Sequence, residues 1–157
     1  MVNKQIYENL RRYNTLSREL SDLYRGFGRN YDLADCAVSI LYIISESDEA
    51  YTQQEICKRL YQPKQTVNSS LKKLEESGLL ELRYAKNSRK NKEIYLTAEG
   101  KILAEKTAGK IINAEQAALS ELTESEQETF LKLFDKYIGA LRTEFNSIRK
   151  REEENEQ

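Results

Sequence analysis

The stretch TVNSSLKKLEESGLLELRYAKNSRKNKEIYLTAEG, residues 66–100, contains the end of a helix, two short alternating segments and a polar run between them. The segments LLELRY and EIYLT alternate apolar and polar residues and include β-branched or aromatic members, which predicts two antiparallel strands. The run AKNSRKNKE holds four cations and no large apolar side chain. It is therefore predicted to lie at the tip of a β-hairpin.

Two short helices are predicted just before this hairpin. Thr52 begins TQQE, a capping box in which the Thr52 hydroxyl accepts from the backbone N–H of Glu55 and the Glu55 carboxylate accepts from the amide of Thr52. The first helix runs to about Leu60, and the chain's single proline, Pro63, takes the first position of the second helix. Gly78 supplies its C-terminal turn. Two helices joined by a short turn predict a helix-turn-helix, and the hairpin behind it is a wing.

Amphipathic helices flank this module. Apolar residues recur every three or four positions from Ile6 to Phe27, which predicts one long N-terminal helix. The segment DLADCAVSILYIIS is apolar on more than one side, so it predicts a buried helix, with Asp32 as its N-cap.

The chain is expected to return to helix after the wing. From Ala98 the pattern is helical and interrupted by Gly109, and Thr123 with Glu126 repeats the capping box before a last amphipathic helix. The small central module cannot cover the first and last helices, so we expect them to cover each other and the same helices of a second subunit in a two-fold dimer.

Composition limits the function classes. The 157 residues are 39% hydrophobic and 32% charged, without an apolar run long enough to cross a membrane or an N-terminal signal stretch, so we expect a soluble cytoplasmic protein. The net charge of −1 is segregated: residues 30–57 carry no Lys or Arg, whereas residues 62–92 carry eight bases against three acids. One local surface is thus predicted to attract a polyanion.

The basic surface has two predicted parts. In the second motif helix Val67, Leu71 and Leu74 face inward, which turns short polar side chains outward to reach base edges, with flanking lysines for phosphates. The predicted contacts of this helix are Lys64, Gln65, Thr66, Asn68, Ser69, Lys72 and Lys73, with Thr66 on the border of the two faces. Those of the wing are Arg83, Lys86, Arg89, Lys90 and Lys92, which can enter a minor groove.

The order QQEICKRLYQPKQTVNSSLKKLEESGLL, then LRYAKNSRKNKEIYLTAEG, closely resembles the MarR family of winged helix-turn-helix bacterial regulators. The most specific pieces are TVNSSLKKLEESGLL and YLTAEG, and the resemblance covers nearly the whole chain once the flanking helices are included. It implies a homodimer that binds a pseudo-palindromic operator in double-stranded DNA and that, in many members, releases it on binding a small aromatic effector or on cysteine oxidation. We expect this protein to act as a repressor.

Four positions depart from the family pattern. The wing's usual Asp-x-Arg corresponds to Ser88 and Lys90, so the arginine role falls to Lys90 or to its neighbour Arg89. An arginine common in the recognition helix corresponds to Ser69, so base preference cannot be transferred from relatives. Cys57 stands where the motif favours a small residue, usually alanine.

The sequence gives less support to other functions. With no histidine and only Cys36 and Cys57, a zinc site is not expected, and no cofactor or catalytic motif is present, so we expect no enzyme. Both cysteines are assigned to packing, since the base-free residues 30–57 do not favour a reactive thiol. A redox-sensing regulator and a winged-helix module that docks proteins remain the alternatives.

The predicted fold is mainly α with a small β-hairpin wing: a winged helix-turn-helix with N- and C-terminal dimerisation helices. The expected domains are an N-terminal dimerisation helix over 1–30, the DNA-binding domain over 31–100, C-terminal dimerisation helices over 101–151 and a disordered tail over 152–157.

Overall fold

A computed structural model describes residues 4–47, 49–84 and 92–155. Within these residues the helices are α1 (Lys4–Tyr24), α2 (Asp35–Ser45), α3 (Gln53–Leu60), α4 (Lys64–Glu76), α5 (Ala98–Lys106), α6 (Ala108–Ser120) and α7 (Glu124–Asn155). A 3-10 helix spans Phe27–Tyr31, and three strands are β1 (Tyr51–Thr52), β2 (Leu80–Tyr84) and β3 (Lys92–Leu96). The mainly helical fold with a small sheet confirms the predicted winged helix-turn-helix.

The chain divides into two compact units, Met1–Ile112 and Asn113–Gln157. The first unit contains the winged module, and the second contains α7. The division lies within α6.

The core of the winged module is built from one apolar face of each of its helices. Ile40 of α2, Ile56 of α3 and Val67 of α4 are fully buried in one cluster, which Ile94 of β3 closes from the sheet side. Burying a side chain of this size contributes about 1.5–3 kcal/mol relative to exposure. This packing holds α4 at a fixed angle on α2 and α3.

The sheet has the antiparallel order β1-β3-β2. The two predicted strands pair with Leu82 opposite Ile94, and the predicted hairpin is confirmed. The strand β1 was not predicted, because two residues carry no alternation and form a strand only through pairing, with Tyr51 opposite Ile94. This pairing attaches the start of α3 to the base of the wing.

The segment LTAEG joins the wing to the end of α4. The Thr97 hydroxyl donates to the Gly78 carbonyl at 2.7 Å and accepts from the Gly100 amide at 3.0 Å, so it caps α5 and holds the preceding turn together. Gly100 lies so close to Leu79 that a Cβ would sit 1.8 Å from the Leu79 carbonyl oxygen. Glycine is therefore required here by close packing.

Two helix boundaries differ from the sequence prediction. Ala34, and not Asp32, is the N-cap of α2. Asp32 instead ends the 3-10 helix in a left-handed conformation with φ 55°, which aspartate tolerates better than most residues. The carboxylate of Asp35 stabilises the same loop by accepting a hydrogen bond from the Gly26 amide at 3.1 Å.

The predicted break at Gly109 is two residues too late. The helix is interrupted at Thr107, and Gly109 lies inside α6. The buried Thr107 hydroxyl donates to the Leu103 carbonyl at 2.7 Å, and this local bond competes with continuation of the helix.

The terminal helices α1 and α7 have no buried residue within the described chain. Their apolar stripes are exposed; examples are Leu16 and Leu20 on α1 and Phe130 and Leu133 on α7. The capping box that opens α7 is confirmed, since the Thr123 amide donates to the Glu126 carboxylate at 2.9 Å. The helix continues to Asn155, so residues 152–155 are helical where a disordered tail was predicted. None of the described helices has the length and apolarity to cross a membrane.

Candidate nucleic-acid interface

The first motif helix, α3, begins with the predicted capping box. The Thr52 amide donates to the Glu55 carboxylate at 2.7 Å, and the Glu55 amide donates to the Thr52 hydroxyl at 3.4 Å. The hydrogen bond from the Thr52 backbone, followed by that from its hydroxyl, lowers the pKa of the Glu55 carboxyl below its usual value. The capping box thus fixes where α3 starts and how it meets β1.

The turn between the motif helices has three residues. Tyr61 ends α3 with φ 51°, a left-handed conformation, and its side chain is exposed. Pro63 is the N-cap of α4 and not its first helical residue as predicted, so the helix begins one position later, at Lys64. Its backbone carbonyl accepts from the amides of Thr66 and Val67 at 3.0 and 3.2 Å.

The helix α4 is divided into two faces, as predicted. Val67, Leu71 and Leu74 are buried in the core of the module. All seven predicted contact residues of this helix are exposed: Lys64, Gln65, Thr66, Asn68, Ser69, Lys72 and Lys73. The sequence predicted Thr66 to lie on the border of the two faces of the helix, and in the structure it lies on the exposed face.

The end of α4 is set by Gly78, as predicted. Gly78 has φ 69°, and its amide donates to the Glu75 carbonyl at 2.9 Å while the Leu79 amide donates to the Leu74 carbonyl at 2.9 Å. This pair of bonds is a Schellman motif, for which glycine is the favoured residue. The turn directs the chain from α4 into β2.

The start of α4 is electrostatically unusual. It has no side-chain cap and no acidic residue in its first turn, and its first residue is Lys64. A cation beside the positive end of the helix dipole is unfavourable for the helix itself. The positive end of the helix dipole and the lysine together produce a positive potential that suits an anionic partner.

The lysines of α4 differ in their local partners. Lys72 lies 3.6 Å from Glu76, in a pair that is exposed on both sides. Exposed pairs of this kind contribute at most about 1 kcal/mol, so Lys72 can exchange this partner for another anion. Within the described residues, Lys64 and Lys73 make no ion pair.

Arg83 is held on the outer face of the hairpin. Its guanidinium forms an ion pair with Glu81 and lies 4.8 Å from the centre of the Tyr95 ring. Glu93 lies opposite Arg83 in the strand register and accepts from the Tyr95 hydroxyl at 2.7 Å. That hydrogen bond is the main cause of the raised pKa of Tyr95. The four side chains form one cluster, which the period-two alternation of each strand could have indicated.

Of the remaining wing cations, Lys92 lies within the described residues. Lys92 begins β3, is exposed and lies 5.5 Å from the centre of the Tyr84 ring. The predicted wing contacts Lys86, Arg89 and Lys90 lie outside the described residues, as does Ser88.

Both cysteines are free and lie with the core of the module. Cys36 is buried, and the partly buried Cys57 packs against the same cluster. Within the described residues, no group of three Cys, Asp or Glu side chains could hold a metal ion.

An open cavity of about 660 Å³ lies beside the sheet in the first unit. Ile44 and Ser45 of α2, Tyr95 of β3 and Lys101 of α5 are among the residues that line it, and Arg83 forms part of its edge. Its volume is within the range of about 300–1,000 Å³ that small-molecule sites occupy.

Comparison with known proteins identifies the fold's relatives. The model of the MarR family matches residues 31–90, which run from the 3-10 helix into the wing, whereas no curated protein matches the chain. The structure of S. aureus MepR in a DNA-binding conformation is similar, with a TM-score of 0.71 and 25% identity over 86% of this chain and 98% of MepR.

Two further structures share the fold. The S. aureus MepR–DNA complex has a TM-score of 0.65 and 24% identity over 86% of this chain and 97% of that one. NMB1585, a MarR family regulator from Neisseria meningitidis, has a TM-score of 0.73 and 19% identity over 88% and 97% of the two chains. The MarR family model thus matches the winged module, and the fold of these regulators is shared over most of the chain.

Proposed function

We propose that this protein is a transcriptional regulator that binds specific sequences in double-stranded DNA, with α4 in the major groove. The observation that supports this most strongly is the division of α4, whose apolar residues are all committed to the core while its polar face is left open. The S. aureus relative MepR has been solved in complex with DNA, which supports the same use of this fold.

The exposed residues of α4 divide by the chemistry they can perform. Gln65 and Asn68 carry amides that can pair with adenine edges, and Thr66, Ser69 and Lys72 can donate to bases beside them. Lys64 and Lys73 are assigned to phosphates, where they set position and supply salt-dependent affinity.

The wing is proposed to contact the neighbouring minor groove. Lys86, Arg89, Lys90 and Lys92 are its proposed contacts. Arg83 is already bound to Glu81 and packs on Tyr95, so it reaches DNA only if a phosphate replaces that carboxylate. Without such an exchange, its role is to stiffen the hairpin.

The active species is proposed to be a homodimer on a pseudo-palindromic operator, acting as a repressor. The exposed apolar side chains that recur along α1 and α7 support a second copy, because large exposed apolar patches mark protein–protein contacts. A two-fold dimer would present its α4 helices to half-sites about 34–36 Å apart. Sedimentation at increasing protein concentration measures this association.

The cavity beside the sheet is the proposed site of a small aromatic effector. Tyr95 offers a ring for stacking, and Arg83 connects the cavity's edge to the base of the wing. A ligand there would alter the hairpin that carries the proposed minor-groove contacts. Titration of aromatic carboxylates, followed by the thermal midpoint and by DNA affinity, tests this assignment.

Selection of duplexes from a random pool tests the proposed function. We expect recovery of a palindromic sequence that the parent protein binds more tightly than a scrambled duplex. Gln65→Ala or Asn68→Ala should change the preference among sequences, whereas Lys73→Ala or Lys90→Ala should weaken binding to all of them.

The control is Lys132→Ala, an exposed lysine of α7 outside the proposed interface. No enrichment over several rounds, or binding by the α4 variants that equals the parent's, would contradict the proposal. A weakly salt-dependent association with a protein partner would instead favour a docking module.

A further inference from the structure

The fold does not require a tyrosine at position 61. Tyr61 ends α3 with φ 51° and ψ 31°, and 92% of its surface is exposed. Residues with a Cβ avoid this left-handed region, and glycine is the residue that adopts it without steric cost. A bulky aromatic side chain at a strained and exposed backbone position indicates a role outside the fold.

The side chain of Tyr61 has no partner within the described residues. By contrast, Tyr51 packs under Arg59, Tyr84 contacts Lys92, and Tyr95 is held by Glu93 and Arg83. The ring and hydroxyl of Tyr61 therefore remain available to a binding partner.

The surroundings of Tyr61 favour an anionic partner. Residues 56–74 contain five bases, namely Lys58, Arg59, Lys64, Lys72 and Lys73, and no acid. Two residues separate Tyr61 from Lys64, the first residue of α4. If the N-terminal end of α4 enters a major groove, the turn before it lies at the groove's edge, beside the phosphate backbone.

We propose that the Tyr61 hydroxyl donates a hydrogen bond to a DNA phosphate at the edge of the groove that α4 enters. This inference rests on the proposed DNA-binding function and adds a positioning contact to it. Tyrosine hydroxyls are among the side-chain donors that proteins use for phosphates, and such contacts fix the register of a recognition helix without reading sequence. The turn between the motif helices thus becomes part of the interface.

Two substitutions test the contact in the full-length protein. Tyr61→Phe removes only the hydroxyl and should weaken binding about five-fold, both to the duplex selected from the random pool and to a scrambled one. Tyr61→Gly should weaken binding at least as much, yet its thermal midpoint should equal or exceed the parent's because the backbone strain is relieved. Fluorescence anisotropy of labelled duplexes measures the affinity, and circular dichroism measures the midpoint.

Tyr7→Phe is the matched control, since Tyr7 is an exposed tyrosine of α1 away from the motif, and it should bind like the parent. Unchanged binding by Tyr61→Phe would overturn the inference even if the parent binds DNA well. A lower thermal midpoint of Tyr61→Gly would overturn it too, by showing that the side chain serves the fold. A parent protein that does not bind duplexes would instead contradict the proposed function.

Discussion

The winged module and the terminal helices have similar apolar patterns, but the apolar side chains are buried in the module and exposed on the terminal helices. In α4 the inward face is buried, with Leu74 almost inaccessible, whereas on α7 the corresponding stripe is open and Leu133 is 60% exposed. Both helices repeat apolar residues every three or four positions. The pattern therefore predicts that a face will be covered, and the structure distinguishes faces covered within the chain from faces that remain exposed.

The largest expected effect comes from replacing Leu74 of α4, and the matched replacement is at Leu133 of α7. Leu74→Ala should lower the free energy of unfolding by about 3 kcal/mol at every protein concentration, because it leaves a cavity in the core. Leu133→Ala should change the stability of the monomer by less than about 0.5 kcal/mol and weaken self-association instead. Urea unfolding at several concentrations separates the two outcomes.

The comparison fails if Leu133→Ala is as damaging as Leu74→Ala at concentrations where the parent is monomeric. That result would mean that the stripe of α7 is covered by its own chain.

Close backbone packing gives the next effect. Gly100→Ala should destabilise the winged module by about 2–3 kcal/mol, because the new Cβ meets the Leu79 carbonyl oxygen and either the end of α4 or the start of α5 must shift. Gly109→Ala is the control: its Cβ would lie 3.6 Å from the nearest atom, an ordinary contact inside α6, so alanine should be neutral or stabilising there. Thermal unfolding measures both, and equal midpoints would contradict the packing argument.

A smaller effect is expected at the capping box of α3. Thr52→Ala should cost about 1 kcal/mol at neutral pH. Because the pKa of Glu55 is lowered in the folded state, its contribution is present above the unfolded value of about 4.3 and is lost as pH falls through the folded value. The difference between parent and variant should therefore shrink below about pH 4.

Glu55→Gln keeps an acceptor without the charge, so it should lose this part of the pH dependence while α3 stays capped. A parent–variant difference that grows in acid would contradict the assignment.

The sequence predicts the winged module well where local chemistry decides the structure. Thr52 and Glu55 form their capping box, Gly78 ends α4, and the alternation before and after the wing gives β2 and β3. In each case the signal and its effect lie within a few residues.

What the sequence does not predict depends on contacts between distant residues. The strand β1 exists only because it pairs with β3, and the helix break at Thr107 depends on a hydroxyl buried by tertiary packing. In the candidate site, the exposed face of α4 was predictable, and strand alternation could have indicated the cluster of Arg83 with Tyr95, but the left-handed conformation of Tyr61 was not predictable.

The salt dependence of DNA affinity tests the central claim most directly. For the selected duplex, the logarithm of the association constant should fall steeply and linearly with the logarithm of salt concentration for the parent. In the double variant Lys64→Ala, Lys73→Ala the slope should become shallower by about 0.9 for each phosphate contact removed, with one contact per lysine in each subunit. A slope that is unchanged in this variant would contradict the assignment of the α4 face to DNA.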